Sequence, residues 1–353
     1  MSEKKKVIEG WNGPGRQDGK ITKFLPEYDS IHIDINEKGT AEWWYFDAIL
    51  DNGYTVVGFF RARHERTGET GVEIMVYKPN DEKIQKVVDY KRADFTIEEG
   101  TANLNIGKNY IKVDYSNEKL PTYEIFLDED NMGIHLTYKS KVEAWTPGKG
   151  TVQFGNKGHF GWAVAIPQAD VVGTIKVEGE EMSVKGVGYH DHNWLNFKLP
   201  LYLKYWYMGH YFAGDFSFIF AYIECNKKLN DYPIYVSMLA RGEDIFLSSG
   251  EYELIAEDFE YNEKANNKYP KSMTFIFSEK QKITMKVERI VDADNLLNDF
   301  GAVIRFLGKH VLGLKPGYFR FNSKVEFDME IEGETFKEKG DMLHEMIIVS
   351  SKD

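Results

Sequence analysis

The sequence predicts an all-β protein of two β-barrel or sandwich domains, arising by internal duplication. Three observations predict it. Aromatic residues make up 14% of the 353 residues, with 21 Tyr, 23 Phe and 7 Trp, and aromatic side chains favour strands. Short apolar or alternating runs recur between turn signals along most of the chain, the pattern of barrels and sandwiches. An aromatic hairpin also occurs twice, about half a chain apart. The length exceeds one small core and fits two domains of ordinary size.

The first hairpin opens with Glu42-Trp43-Trp44-Tyr45-Phe46 and turns at Asp51-Asn52-Gly53, residues that tolerate positive φ. Its second strand runs over 54–63. Strands follow at 71–77, 123–127, 133–138, 171–177, 235–240, 272–277 and 283–287. Turns are expected at Glu99-Gly100, Pro147-Gly148-Lys149-Gly150 and Glu332-Gly333. The echo is Tyr205-Trp206-Tyr207-Met208-Gly209-His210-Tyr211-Phe212-Ala213-Gly214, followed by a strand over 215–224. Trp44 aligns with Trp206, and Gly53 with Gly214 after one deletion. In this alignment Arg61 and Arg63 stand where the second copy carries Tyr222 and Glu224. One segment departs from the β pattern. Over 295–311, Leu296, Leu297, Phe300, Val303, Ile304, Leu307 and Val311 recur at helical spacing. Such a helix packs outside the second domain or closes one end of it; the sharper alternative is a lid.

Charge excludes some functions. With 44 Lys plus Arg against 56 Asp plus Glu, the net charge is −12. That surface repels phosphate backbones and anionic lipid, so no nucleic-acid partner is expected. No run approaches the roughly 18 apolar residues of a membrane span. The polar N-terminus lacks a signal peptide's apolar core, so a cytoplasmic location is expected. The single cysteine, Cys225, excludes an intrachain disulfide and a multi-cysteine zinc site. It reads as a small apolar strand residue rather than a nucleophile.

Gly188-Tyr189-His190-Asp191-His192-Asn193-Trp194 concentrates the chemistry. If extended, it puts His190, His192 and Trp194 on one face and Asp191 and Asn193 on the other. A general acid or base beside a π face suits proton transfer to an apolar intermediate. The plainer alternative is a polar strand end with hydrogen-bonded histidines. In the strand over 216–224, Phe216, Phe218, Phe220, Tyr222 and Glu224 share a face. That face reads as a greasy wall ending in an acid whose pKa burial would raise. Equally, the Phe residues could be core and Glu224 a wet strand end. A metal would need a third ligand, such as His210 or Glu224, to converge on His190 and His192, and no metal motif supports one. No nucleophile elbow occurs, and Gly186-Val187-Gly188 leads into no helix, so neither serine hydrolysis nor a dinucleotide cofactor is expected. Gly158-His159-Phe160-Gly161-Trp162 is a further aromatic and imidazole cluster that faces the same pocket or braces a strand.

These residues resemble a known family. Glu42-Trp43-Trp44-Tyr45-Phe46 with its glycine turn is similar to the first-domain signature of the carotenoid 1,2-hydratase (hydroxyneurosporene synthase) family. Gly188 to Trp194 resembles the Asp-His-Xaa-Trp signature at that family's domain junction. Gly340-Asp341-Met342-Leu343-His344-Glu345-Met346 resembles its closing strand. The resemblance implies two lipocalin-like β domains, here 1–185 and 186–353. The family's activities include hydration of isoprenoid double bonds, prenyl hydration by kievitone hydratase, and decalin-forming fungal Diels–Alderases. Its His-Xaa-Trp and Tyr-Xaa-Asp pairs fall on His192 and Trp194, then on Tyr222 and Glu224. Glu replaces Asp in the second pair, and Leu195 stands where glycine is usual.

The expectation is therefore a cofactor-free hydratase or cyclase acting on an isoprenoid or polyene. Glu224, held protonated, would protonate the alkene, and Trp194 and Tyr222 would stabilise the cation by about 0.5–2 kcal/mol per contact. His192 would position or deprotonate the capturing water. Trp44, Trp206, Phe218, Phe220, His190 and Asp191 would contact the substrate. The alternatives are a pericyclase and a non-catalytic carrier of hydrophobic ligands.

Overall fold

The computed structural model describes residues 6–299, 315–331 and 333–349. After a short strand β1 (Val7–Glu9), the strands run β2 (Ala41–Leu50), β3 (Thr55–Arg63), β4 (Thr70–Tyr77), β5 (Lys83–Tyr90), β6 (Phe95–Ile97), β7 (Leu104–Ile106), β8 (Asn109–Asp114), β9 (Thr122–Glu129), β10 (Met132–Ser140), β11 (Thr151–Phe154), β12 (Gly158–Val177) and β13 (Glu180–Leu195). A second series follows: β14 (Leu203–Ala213), β15 (Phe216–Cys225), β16 (Pro233–Arg241), β17 (Asp244–Ser249), β18 (Glu253–Asn262), β19 (Asn267–Ser278), β20 (Gln281–Asn295), β21 (Gly317–Ile331) and β22 (Glu334–Ile348). The protein is all-β, as its aromatic and alternating runs predict.

The chain forms two compact units. One is Lys20–Lys198 with Gly242–Ile245, and the other is 6–19, Leu199–Arg241 and the described residues from Phe246 onward. The chain passes from one to the other after Lys198. A boundary between residues 185 and 186 would fall inside β13, which pairs along its length with β12 and then with β2 and so stays whole in the first unit.

The first unit's main sheet has the order β5-β4-β3-β2-β13-β12-β10-β9-β8-β7-β6 and curls into a nearly closed barrel. The second has the order β17-β16-β15-β14-β22-β21-β20-β19-β18. In both, the last long strand returns to pair with the first, β13 with β2 and β22 with β14, and a four-strand meander extends from it. This repeated connectivity supports duplication more strongly than the hairpin letters do. The letters are one residue out of phase: Trp44 faces the first core beside Phe46 and Phe60, whereas Tyr205, Tyr207 and Tyr211 face the second core. Trp206 therefore points to the opposite side, as period 2 requires. Likewise Tyr222 faces inward, while Arg61 alternates outward from its core-facing neighbours Phe60 and Ala62.

Each core follows from strand alternation. In β9, Tyr123, Ile125 and Leu127 are buried, and in β21 Phe319, Phe321, Ser323, Val325, Phe327 and Met329 are. Gly53 and Gly214 close the two hairpins at φ 87° and 56°, a region costly for other residues. Most of the helix expected over 295–311 lies outside the described residues. At its start, Asn295 ends β20 and Leu296–Asp299 form a 3-10 turn.

Candidate functional site

Strand β13 carries buried polar groups on both faces. Its register opposite β2 places His190 beside Phe46 and His192 beside Trp44. The rings stack on those partners, His190 on Phe46 at 3.8 Å and His192 on Trp44 at 4.3 Å between centroids. Two carboxylates meet the imidazoles. Asp29, on the 3-10 turn Pro26–Asp29, sets Oδ2 3.1 Å from His190 Nε2 and Oδ1 3.4 Å from His192 Nδ1. Glu42 Oε1 lies 2.9 Å from His192 Nε2. Asp29, Glu42, His190 and His192 are all 0% exposed.

The surroundings fix this cluster. The Tyr123 hydroxyl donates to Asp29 Oδ2 at 2.7 Å. Burial, and then the charge of Asp29, push the Tyr123 phenol well above its ordinary range, so it stays a donor. His190 Nδ1 lies 2.8 Å from the Tyr45 carbonyl oxygen. Trp44 Nε1 donates to the Asp29 carbonyl oxygen at 2.9 Å. Glu42 accepts the backbone N–H groups of His32 and Ile33 at 2.8 and 3.0 Å. His32, exposed, stacks on Trp194 at 3.7 Å and stands 5.5 Å from His192. Beneath Trp194 is Gly161, where any Cβ would collide with the indole. Opposite His190 and His192, β12 shifts register twice between Ala163 and Ala169. Pro167 lies in this stretch and gives no N–H to the ladder, and such irregularities re-aim side chains.

The other face of β13 holds Asp191. Its Oδ2 accepts from Trp162 Nε1 at 2.9 Å and the Tyr189 hydroxyl at 2.8 Å, and its Oδ1 from Asn193 Nδ2 at 2.8 Å. Burial outweighs these donors and pushes the carboxyl up to about 6. The 158–162 aromatic run thus acts through Trp162, as a hydrogen-bond donor, and through Gly161.

The second unit arranges its acid differently. Glu224 accepts from the hydroxyls of Tyr222 at 2.6 Å and Tyr205 at 3.0 Å, and from Lys204 Nζ at 3.1 Å. Burial works to raise its pKa, but these donors outweigh it and hold the carboxyl below the usual carboxylate range. Glu224 is therefore anionic, which corrects the expectation that it is held protonated. Phe218 and Phe220 are fully buried core against Phe275, and Trp206 lies on the other face of its strand. Cys225 is buried, with its thiol pushed up to about 12 by burial, as suits a small core residue.

Of the residues singled out from sequence, the fold gathers His190, His192, Trp194 and Trp44 in the first unit. Tyr222, Glu224, Phe218, Phe220 and Trp206 belong to the second, as does His210, one of the third metal ligands considered. Asp29, Glu42 and Tyr123 were missed. Glu42 stands at the head of the Glu-Trp-Trp run, a usable signal, but Asp29 sits in a segment without periodicity. Among the described residues, no three His, Cys, Asp or Glu side chains are arranged to hold a metal ion.

Two β sheets of matching connectivity, one enclosing an acid–imidazole cluster, define a lipocalin-like protein with a buried polar site. The chain belongs to the Svf1 family, whose model matches residues 68–350. Solved structures share the fold across almost the whole length. A protein assigned as an AttH from Nitrosomonas europaea matches with TM-score 0.62 at 14% identity, over 93% of this chain and 97% of that one. CghA, in a crystal structure with Sch210972, matches with TM-score 0.62 at 10% identity, over 99% of each chain. Kievitone hydratase from Nectria haematococca matches with TM-score 0.57 at 13% identity, over 96% and 98%. Kievitone hydratase belongs to the group the sequence motifs resemble, so motif and fold converge. No curated protein sequence matches the chain.

Proposed function

We propose that this protein is a hydratase or cyclase for an apolar isoprenoid or polyene, using the acid–imidazole cluster on β13 and no cofactor. The observation that carries this reading is the complete burial of Asp29, Glu42, His190 and His192 together. Apolar residues of similar volume often stabilise a fold as well or better, and buried titratable clusters gather where chemistry is done. The likeness in fold to kievitone hydratase adds analogy.

In the proposed reaction a proton leaves the cluster for the less substituted alkene carbon, and the π electrons form the new C–H bond. Trp194 and Trp44 face the resulting tertiary cation. Water captures the cation through oxygen and returns a proton to His192, so the net change is addition of one water. Where water is excluded, an internal alkene or hydroxyl captures the cation and closes a ring. Asp191, pushed up to about 6 by burial, lies on the opposite face of β13 and is held by Trp162, Tyr189 and Asn193, so the proton comes from the cluster of Asp29, Glu42, His190 and His192.

The test is turnover of acyclic prenyl and polyene compounds in ¹⁸O-labelled water, followed by mass spectrometry. Gain of one labelled water establishes a hydratase, and unchanged mass at a new retention time a cyclase. His192→Ala should lower turnover at least ~100-fold. Full activity in that variant removes the cluster from the mechanism and leaves a pericyclase, which needs shape and one hydrogen bond.

A carrier is the second reading. The second core mixes Met273, Met285, Met329, Met342 and Met346 with aromatics, and methionine adapts to irregular apolar shapes. Native mass spectrometry of the purified protein, showing a retained apolar ligand alongside absent turnover, would favour it.

A further inference from the structure

We infer that His190, His192 and Tyr123 form a carboxylate-binding site that Asp29 of the same chain fills in this structure, and that an apolar ligand bearing a carboxylic acid takes its place. This deepens the proposed function by naming a substrate class, and it rests on the β13 cluster being a ligand site.

The receiving groups and the group received differ in origin. Tyr123 and the two histidines stand on strands β9 and β13, inside a hydrogen-bonded sheet. Asp29 comes from the stretch 20–40, whose one regular element is a 3-10 turn of 4 residues. A receptor built into the sheet thus meets a carboxylate carried on an irregular segment of the same chain.

The receptor is suited to an anion. His190 has an acceptor at each ring nitrogen, the Tyr45 carbonyl oxygen at 2.8 Å and Asp29 Oδ2 at 3.1 Å. Removing Asp29 would leave the Nε2 of His190 and the Tyr123 O–H facing inward without that partner. Asp29 itself fits incompletely. Its Oδ1 is buried with no hydrogen-bond partner among the described residues, and such an atom costs free energy relative to a satisfied one. A carboxylate free of the tether could satisfy both oxygens.

The segment also carries the apolar half of such a ligand. Phe24, Ile31 and Ile35 pack against the first core, which holds Trp44, Phe46 and Tyr138. An apolar body with one acid at its deep end describes both this segment and a long-chain polyenoic acid.

The probe is cis-parinaric acid, whose polyene fluoresces when bound, compared with its methyl ester on the full chain. The unaltered protein should bind the acid in preference to the ester. Asp29→Ala should tighten the acid at least 10-fold, and His190→Ala should weaken it at least 10-fold while leaving the ester unchanged. Equal binding of acid and ester, or binding of neither, overturns the inference. Hydrogen exchange on the unaltered protein guards against a variant that misfolds: saturating acid should speed exchange over 20–40. Unchanged exchange with the acid bound overturns displacement. Acid-selective binding without turnover of any compound would retire the catalytic reading and keep the site. Turnover of polyenes with no preference for acids would do the reverse.

Discussion

The two units place a histidine at the same point of the same topology and treat it in opposite ways. In each, the strand that closes the sheet carries an inward imidazole beside the sheet's first strand: His190 and His192 opposite Phe46 and Trp44, His344 opposite Gly209. The first pair meets two carboxylates, a phenol and a carbonyl. His344 is buried against Phe321 at 4.7 Å, with Ser323 Oγ at 3.3 Å from Nδ1 and no partner for Nε2 among the described residues. Burial alone drives its pKa down to about 3. The difference lies in what surrounds the ring: Glu42 at the head of the first hairpin, and Asp29 brought by an irregular segment. The shared topology supplies the imidazole in both units, and the groups added around it in the first supply its polar partners.

The largest effect expected is at His344. Its folded pKa lies below the unfolded value near 6.5, so the neutral ring stabilises the fold above that pH, and this is lost as pH falls toward 3. Relative to His344→Leu, the unaltered protein should lose about 4–5 kcal/mol between pH 7 and 3 in denaturant titrations. An equal pH response in both proteins would break the contrast. Next is Glu42→Ala, which strips partners from His192 and from two backbone N–H groups. A cost of about 3–5 kcal/mol is expected, read as a lower denaturation midpoint at unchanged slope.

Asp191 should respond with the opposite sign to His344. Its pKa is raised on folding, so its contribution is full below about pH 4 and lost as pH rises through about 6. Between pH 4 and 7 the unaltered protein should lose about 2 kcal/mol relative to Asp191→Asn. The smallest effect is at Glu224, a partly buried group with three donors. Glu224→Gln should cost about 1 kcal/mol or less. A larger loss would mean that the second unit also depends on a buried charge.

Sequence made the strands legible because period 2 is a local property, and β9, β10, β16 and β19 extend over their expected runs. The face of Trp206 was not legible. Register against β22 sets it, and a slip of one residue reverses every side chain. The protonation of Glu224 depends on Tyr222, two residues earlier on the same strand, and on Lys204 and Tyr205 across the hairpin, and the last two leave no pattern within its own strand. His190, His192 and Trp194 could be placed on one face from spacing alone. Their carboxylate partner Asp29 could not, because the approach of an irregular segment to a barrel leaves no periodic trace.

Each sheet closes only when its final strand returns to its first, β13 to β2 and β22 to β14. Closure therefore requires contacts between residues far apart along the chain, and folding rates fall as such contacts dominate. Refolding should then show two slow closures, each waiting on one strand. Until β13 docks, His190 and His192 have no Trp44 or Phe46 to stack upon, so the polar cluster would be among the last features of the first unit to assemble.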